Sequence, residues 1–483
     1  MSSKTDAWRV RTPVVLAGLT AAAALLRAIG LDNALWYDEI VTLVESVRPP
    51  LARIVTSFPD SNHHPLYSVL AHAAVSLFGE RPWVVRLPAV LFGIATIPAV
   101  YLLGVRVASR REGLFAAALL AASYHHVWFS QNARGYTALA FWTVLTTLAL
   151  WRGLRGGDGP WPVTYGIAAG LGLYTHLTMV FTVGAHAIVC AWLLVWPRAR
   201  PQPRIAWSRV AGAFGLGAIL ATALTAPIAP EMYDFYTSTP RDAARVGTYR
   251  WALLETLRGL ELGLGAWGVL AAALLGSLGL LSYARQSRVL SAMMIVPGLL
   301  AAVAVAVLQW PMRPRFFFFL IGFAAMILAR GAVVAGDLSA RRWAPARGAL
   351  AGGLVAALLA ASLLSLPYGY RHPKQDFGGA MQFVEASRGR QDAVATAGAA
   401  SLPYREYYGR SWASLERAEQ LQRLAAQAPR LWLLYTFPEY IEVSAPDLMR
   451  TIRRDCTTVR TFRGTVGGGD VVVATCRAAS SPL

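Results

Sequence analysis

Two adjacent carboxylates, Asp38 and Glu39, follow two aromatic residues in the stretch Leu35-Trp36-Tyr37-Asp38-Glu39-Ile40, just beyond an apolar segment running from Pro13 to about Ile29. A carboxylate within about 3 Å of a hydroxyl can take its proton as a general base, and a pair at a membrane surface can serve a substrate that is partly lipid. Further along stand groups suited to an anion: His63 and His64, Gln131 and Arg134, Tyr174 and His176, and Arg313 and Arg315 on either side of Pro314. The planar fork of arginine grips two oxygens of a phosphate at once, and ionisable residues at membrane depth are functional candidates. An acidic pair near a cationic set fits a substrate with an anionic head and a lipid tail. Read singly, each feature has a plainer explanation: carboxylates mark helix ends, and lone arginines anchor at interfaces. Four such sites on one expected face argue against coincidence.

The elements that must position these residues are membrane helices. The chain has 483 residues, 55% hydrophobic and 15% charged, where soluble domains carry about 25% charged residues. Its apolar residues fall in runs near 13–30, 83–105, 114–128, 135–151, 161–175, 177–196, 208–228, 263–283, 289–309, 315–334 and 348–366. A hydrocarbon core takes roughly 20 apolar residues, so these runs read as about eleven spans of an all-α polytopic protein. The basic N-terminus reads as leading into a retained first span rather than a cleaved leader. The net charge of +19 comes from arginines in short loops, with lysine only at Lys4 and Lys374. That is a topology signal rather than a nucleic-acid surface. Arg106, Arg110 and Arg111, then Arg152 and Arg155, then Arg198 to Arg209, then Arg285 and Arg288, then Arg330 to Arg347 all fall on the side of the N-terminus. This places the N-terminus in the cytoplasm of a multi-pass cell-membrane protein. The carboxylate pair, residues 125–134, 229–262 and Met312 to Arg315, and everything after 367 then lie outside. Within the external loop 31–82, residues 65–78 carry Leu66, Leu70, Ala73, Ala74 and Leu77 at helical spacing, which predicts an amphipathic helix on the membrane surface. Trp36 and Tyr37 are expected to anchor the loop at the lipid interface, and Phe316 to Phe319 to face lipid.

The polar tail, 368–483, reads as a small external α/β domain apart from the membrane module 1–367. Ala393–Thr396, Leu431–Tyr435 and Val471–Thr475 read as buried strands, and Ser414–Ala428 as a helix. Cys456 and Cys476 stand either as free thiols or as a bridged hairpin turning at Gly467-Gly468-Gly469. Cys190 lies in an apolar run, and no cysteine or histidine spacing suggests a metal.

The order of these features resembles a known family. An acidic pair after the first span is followed by HHPLY with LFG, then RLPAVLFG, SQNARGYTALA, GLYTH and PRFFFFL. Over about residues 30–330 this is similar to the GT-C superfamily of membrane glycosyltransferases, in particular bacterial proteins akin to protein O-mannosyltransferases and the lipid A aminoarabinose transferase. The resemblance implies transfer of a sugar from a polyprenyl-phosphate donor to a lipid, glycan or protein acceptor on the external face, with no cofactor expected. It implies Asp38 as the acid/base residue, Glu39 as its acidic neighbour, and His64, His176 and Arg315 near the donor phosphate. The chain departs from some relatives at Val41, where they carry arginine, and in offering Gln131 and Arg134 where they carry acidic groups. Two other functions compete. A transporter or flippase would show inverted repeats and midplane polar sites, and no repeat is visible; an inactive scaffold would keep the external domain for a partner.

Overall fold

The computed structural model describes residues 2–202, 204–238, 249–308, 313–339 and 346–477; Met312, Arg341 and Arg342 lie outside them. Helix α1 (Ser2–Ala28) is followed by a connecting stretch carrying α2 (Tyr37–Val41), α3 (Leu51–Thr56) and α4 (Pro65–Phe78). The bundle continues with α5 (Pro82–Val107), α6 (Arg110–Ala122), α7 (Tyr124–Ser130), α8 (Tyr136–Leu154), α9 (Trp161–Thr175), α10 (Met179–Val195), α11 (Trp207–Thr225) and α12 (Ala229–Ser238). It is completed by α13 (Tyr249–Gln286), α14 (Arg288–Val307), α15 (Ile321–Ser339) and α16 (Ala346–Arg371). The main apolar core is built from α5, α6, α8 and α9, closed by residues of α10, α14 and α15.

Among the described residues, seven helices are long and apolar enough to cross a membrane: Pro82–Val107, Tyr136–Leu154, Trp207–Ser238, Arg250–Gln286, Arg288–Val307, Pro314–Ser339 and Gly348–Arg371. Thr12–Ala28 and Met179–Val195 are apolar but shorter. At 15 residues, α9 is about 22 Å long by the 1.5 Å rise of a helix, short of a hydrocarbon core of about 30 Å. The expected run 114–128 is two helices. Ser123 leaves helical geometry at ψ 121°, and its hydroxyl caps α7 by accepting from the backbone N–H of His126. A serine that bonds a nearby backbone N–H starts a helix more readily than it continues one.

Helix α4 forms where expected, with Pro65 in its first turn. Its small side chains Ser68, Ala71 and Ala74 are buried with Tyr67, while Leu70, Leu77 and Phe78 are exposed. The phenylalanine run does not face lipid throughout. Residues Pro314–Leu320 form a tight 3-10 turn that buries Phe318 and Phe319, with Phe318 against Phe129 at 4.1 Å between ring centroids.

The tail forms α17 (Phe377–Ser387), β1 (Ala393–Ala397), β2 (Ala413–Leu415), α18 (Ala418–Gln427), β3 (Leu431–Tyr435), α19 (Pro438–Ser444), α20 (Pro446–Asp455), β4 (Cys456–Phe462) and β5 (Val471–Cys476). The sheet order is β2-β1-β3-β5-β4, with β1 parallel to β2 and β3, and β5 antiparallel to β3 and β4. The expected helix Ser414–Ala428 is shorter because Ala413–Leu415 pair with Ala395–Ala397 as an edge strand; the helix begins after Arg417, with Gln420 accepting from the N–H groups of Glu416 and Arg417. The β4 edge strand, exposed along most of its length, lacks the apolar alternation that would mark it in sequence.

This unit does not hang free from the bundle. One apolar core joins Leu35, Ile40, Leu43 and Val47 of the stretch after α1, Tyr67 and Ala71 of α4 and Val85 and Ala89 of α5 to Phe377, Trp432, Leu434 and Val473 of the tail. Cys456 and Cys476 are register partners in the β4–β5 hairpin and form a disulfide with Cα atoms 4.0 Å apart. Replacing both by alanine is expected to destabilise the tail by about 2–4 kcal/mol, the usual worth of a bridge; denaturation followed with and without reductant, with the wild type losing the same increment on reduction, checks this.

Candidate active site

The stretch between α1 and α5 is held by a buried ion pair to α5. Glu39 is fully buried and meets Arg86 of α5 in a two-pronged contact, Nε to Oε1 at 2.7 Å and Nη2 to Oε2 at 2.6 Å. Arg86 also donates to the carbonyls of Leu31, Asn33 and Ala34, so all five donors of a guanidinium are engaged. The backbone N–H of Ala133 donates to Glu39 Oε1 at 2.7 Å, and Lys374 Nζ stands 3.7 Å from the same oxygen. Burial alone would raise the Glu39 carboxyl; Arg86, Lys374 and the Ala133 N–H outweigh it and hold it below the usual range.

Asp38 precedes Glu39 on α2, and consecutive residues on a helix point about 100° apart. While Glu39 turns inward, Asp38 turns toward Arg134 and Arg315. Its Oδ2 accepts from Arg134 Nη1 at 2.5 Å and from Arg315 Nη1 at 2.8 Å. Its Oδ1 has no hydrogen-bond partner among the described residues. Arg134 is buried; the Arg315 side chain is 34% exposed, so one clamp of Asp38 is closed and the other open.

Behind Arg134 sit two histidines. Arg134 Nη2 lies 3.1 Å from His64 Nε2, and His64 Nδ1 accepts from the Gly135 N–H at 3.2 Å. The His64 and His176 rings are 4.7 Å apart. Gly135 permits this packing, since a Cβ there would come within 2.7 Å of His64 Nδ1 and 2.9 Å of Thr175. Burial, reinforced by Arg134, pushes His64 well below its ordinary value, so it is neutral near pH 7. With Nδ1 accepting from Gly135, the neutral ring carries its proton on Nε2, so it packs against Arg134 without accepting from it and without adding a cation.

On the open side of Arg315 lies a cavity of about 350 Å³. It is walled by Leu119, Leu260, Leu264, Phe317, Ile321 and Leu328, with Ser123, His125 and Glu255 also lining it. A guanidinium at the mouth of an apolar chamber can hold an anionic head while the chamber takes a hydrocarbon tail. Among the described residues, no group of three or more His, Cys, Asp or Glu side chains is clustered as metal ligands would be.

A sequence profile described as dolichyl-phosphate-mannose-protein mannosyltransferase matches residues 62–220. No curated protein matches the chain in sequence. Among solved structures, ArnT from Cupriavidus metallidurans in the apo state superposes with a TM-score of 0.53 at 14% identity, covering 98% of each chain. ArnT bound to undecaprenyl phosphate gives 0.51 at 13% identity, over 96% of this chain and 98% of that one. The oligosaccharyltransferase AglB from Archaeoglobus fulgidus, in complex with an inhibitory peptide and a dolichol-phosphate, gives 0.57 at 13% identity, over 100% of this chain and 75% of that one. The chain has the GT-C fold.

Within this GT-C fold the structure gathers Asp38, His64, Arg134, His176 and Arg315. Arg313 lies beside them with its guanidinium over the Trp251 ring at 5.1 Å. Other expected site residues stand apart. Gln131 donates to the carbonyls of Arg27 and Ile29 and so caps the end of α1. His63 bonds Ser46 through Nδ1 at 3.0 Å, and with Tyr174 and Phe58 it lines a small pocket of about 40 Å³ that shares only His176 with the gathered residues. Trp36 and Tyr37 do not anchor in lipid: Trp36 is buried with Nε1 bonded to Asn132 Oδ1 at 3.2 Å, and the Tyr37 ring meets Phe437 of the tail. Sequence reasoning passed over Arg86, although an arginine inside an apolar run is itself a signal. It also passed over Asp60, whose carboxyl is raised by burial and by Asp38, against the opposing effect of Arg134.

The site separates two kinds of damage. Arg86→Met strands a buried carboxylate, and breaking such a pair costs about 3–5 kcal/mol; a large fall in melting temperature or loss of folded protein is expected. Asp38→Asn, beside the half-open Arg315, is expected to shift melting far less. Because Glu39 is depressed in the folded state, its stabilisation is present above the unfolded carboxylate value and is lost as pH falls through the folded one. Thermal melting of both variants at neutral and acid pH tests the contrast.

Proposed function

We propose that the protein is a glycosyltransferase that moves a sugar from a polyprenyl-phosphate donor to an acceptor hydroxyl on the external face, with Asp38 as general base. The observation that carries this reading is the state of Asp38: one oxygen is clamped between Arg134 and Arg315, the other has no hydrogen-bond partner among the described residues, and Arg315 opens onto the apolar cavity. In the free protein Asp38 is the counterion of the two arginines. A donor phosphate entering at Arg315 competes for them, and the carboxylate they release turns to the acceptor. The acceptor oxygen then attacks the anomeric carbon as its proton passes to Asp38 Oδ1. The bond from that carbon to the phosphate oxygen breaks on the opposite face, and Arg315 and Arg134 receive the departing phosphate charge. A single displacement inverts the anomeric centre.

The fold shared with ArnT and AglB, whose solved complexes hold undecaprenyl phosphate and dolichol-phosphate respectively, supports a lipid-phosphate donor. We infer a cytoplasmic N-terminus, about eleven membrane segments including the short helices, and an external tail from about residue 368, in the cell membrane. The disulfide in the tail supports the external assignment, since such bonds persist in oxidising compartments.

The test is turnover of purified protein with a panel of polyprenyl-phosphate hexoses and pentoses, read as release of polyprenyl phosphate. Asp38→Asn is expected to lower turnover roughly 10²–10⁴-fold, the range for loss of a general base, with donor binding retained. Arg315→Met is expected to weaken donor binding. Near-normal turnover in Asp38→Asn sinks the assignment, and movement of donor across proteoliposomes without chemical change favours a flippase.

A further inference from the structure

The chain uses 45 lysines and arginines, and only Lys4 and Lys374 are lysine. One of these two is almost buried beside the site. Lys374 follows α16, and its side chain is 11% exposed. Its Nζ donates to the carbonyl of Gln131, stands 3.7 Å from Glu39 Oε1 and lies 4.7 Å over the Trp128 ring. The next residue, Gln375, accepts from the Tyr37 N–H at 2.9 Å and donates to Gly469 O at 2.9 Å and Thr436 Oγ1 at 3.0 Å. Two consecutive side chains thus tie α2 to the turn after α7, to the end of β3 and to the β4–β5 hairpin.

The groups facing Lys374 decide what its charge does. From α2 it meets Glu39 and, farther off, Asp38; from α5 it meets Arg86; from α7 and its following turn, the Trp128 face and the Gln131 carbonyl. Glu39 is already paired with Arg86, so a protonated Lys374 is a surplus buried cation. Burial lowers it from 10.5 to about 7, with Glu39 opposing the drop and Arg86 adding to it. A guanidinium would remain charged here, whereas an ammonium group can give up its proton.

We propose that Lys374 is a positioning residue for the transfer reaction: its ammonium form draws Glu39 and the 131–133 turn together and so sets the height of Asp38 against Arg134. The proposal rests on the transfer reading for its effect on turnover, but two of its readouts do not depend on turnover. The linkage sign makes the test sharp. The folded value lies below the unfolded one, so the folded protein binds fewer protons between about pH 7 and 10.5, and stability rises with pH across that window. A charge that helps the site while costing the fold is a stability–activity trade-off. A residue that only supports the fold would lower stability and activity together when removed.

The experiment compares full-length wild type, Lys374→Met and Lys374→Arg in lipid nanodiscs. In wild type carrying 13Cε-lysine, the signal that is absent from Lys374→Met is expected to titrate near pH 7, well below the ordinary lysine value of about 10.4. At pH 6, Lys374→Met is expected to melt higher than wild type, with the difference vanishing by about pH 10. Its backbone amides at 36–41 are expected to exchange faster with solvent while those of β3 do not. With an active donor, kcat is expected to fall roughly ten- to hundredfold, as a displaced catalytic group does, with donor KM unchanged. The wild-type fall in kcat through pH 7 is expected to disappear in both variants. A Lys374 signal titrating near 10.4, a lower melting temperature in Lys374→Met, or unaltered exchange at 36–41 overturns the proposal. If no donor is turned over, the function reading fails, and the titration, melting and exchange results still decide the role of Lys374.

Discussion

The end of the molecule that carries the candidate site depends on the Glu39–Arg86 pair. A carboxylate with no solvent exposure is tolerable only when its charge and lone pairs are met, and Arg86 meets both oxygens from a rigid membrane helix. The same guanidinium satisfies three carbonyls of the stretch 31–34, which itself lies between helices α1 and α2. One side chain therefore does for the chain leaving α1 what a strand neighbour would do elsewhere. It fixes where α2 begins, and the start of α2 fixes Asp38.

Adjacent carboxylates with opposite duties follow from this. A helix sends consecutive side chains in different directions, so only one of the pair can face the interior anchor. Glu39 takes that place and is closed off on every side. Asp38 is left at the boundary, where one arginine is buried and the other reaches into an open cavity. The neutral histidines behind Arg134 complete the arrangement. They pack behind the guanidinium without adding charge, and the two cations bonded to Asp38 are Arg134 and Arg315.

Much of this was legible in the chain. Apolar runs predicted a polytopic, mostly helical protein, and motif order pointed to the fold. Local chemistry was harder. The break at Ser123 competes with strong flanking hydrophobicity, and the edge strand Ala413–Leu415 exists only because β1 lies beside it. Gln131 looked like a substrate ligand because its neighbours are polar, but the end of α1 claims it. His64 and His176 looked cationic because burial is invisible in a sequence. Arg86 was hidden for the opposite reason: its partner stands 47 positions earlier, and nothing local connects them.

The apolar core shared by the stretch after α1 and the tail has an evolutionary consequence. Leu35, Ile40 and Val47 pack in one cluster with Trp432, Leu434 and Val473, so the boundary between membrane module and tail in sequence is not a boundary in packing. A tail acquired from another gene would present the wrong surface to α2 and disturb the carboxylate pair. Recombination that kept the protein working would have to carry residues 31–82 and the tail as one inherited block, although about 290 residues of helix bundle separate them in the chain. Divergence among relatives is therefore expected to be correlated between these two distant segments rather than uniform along the chain.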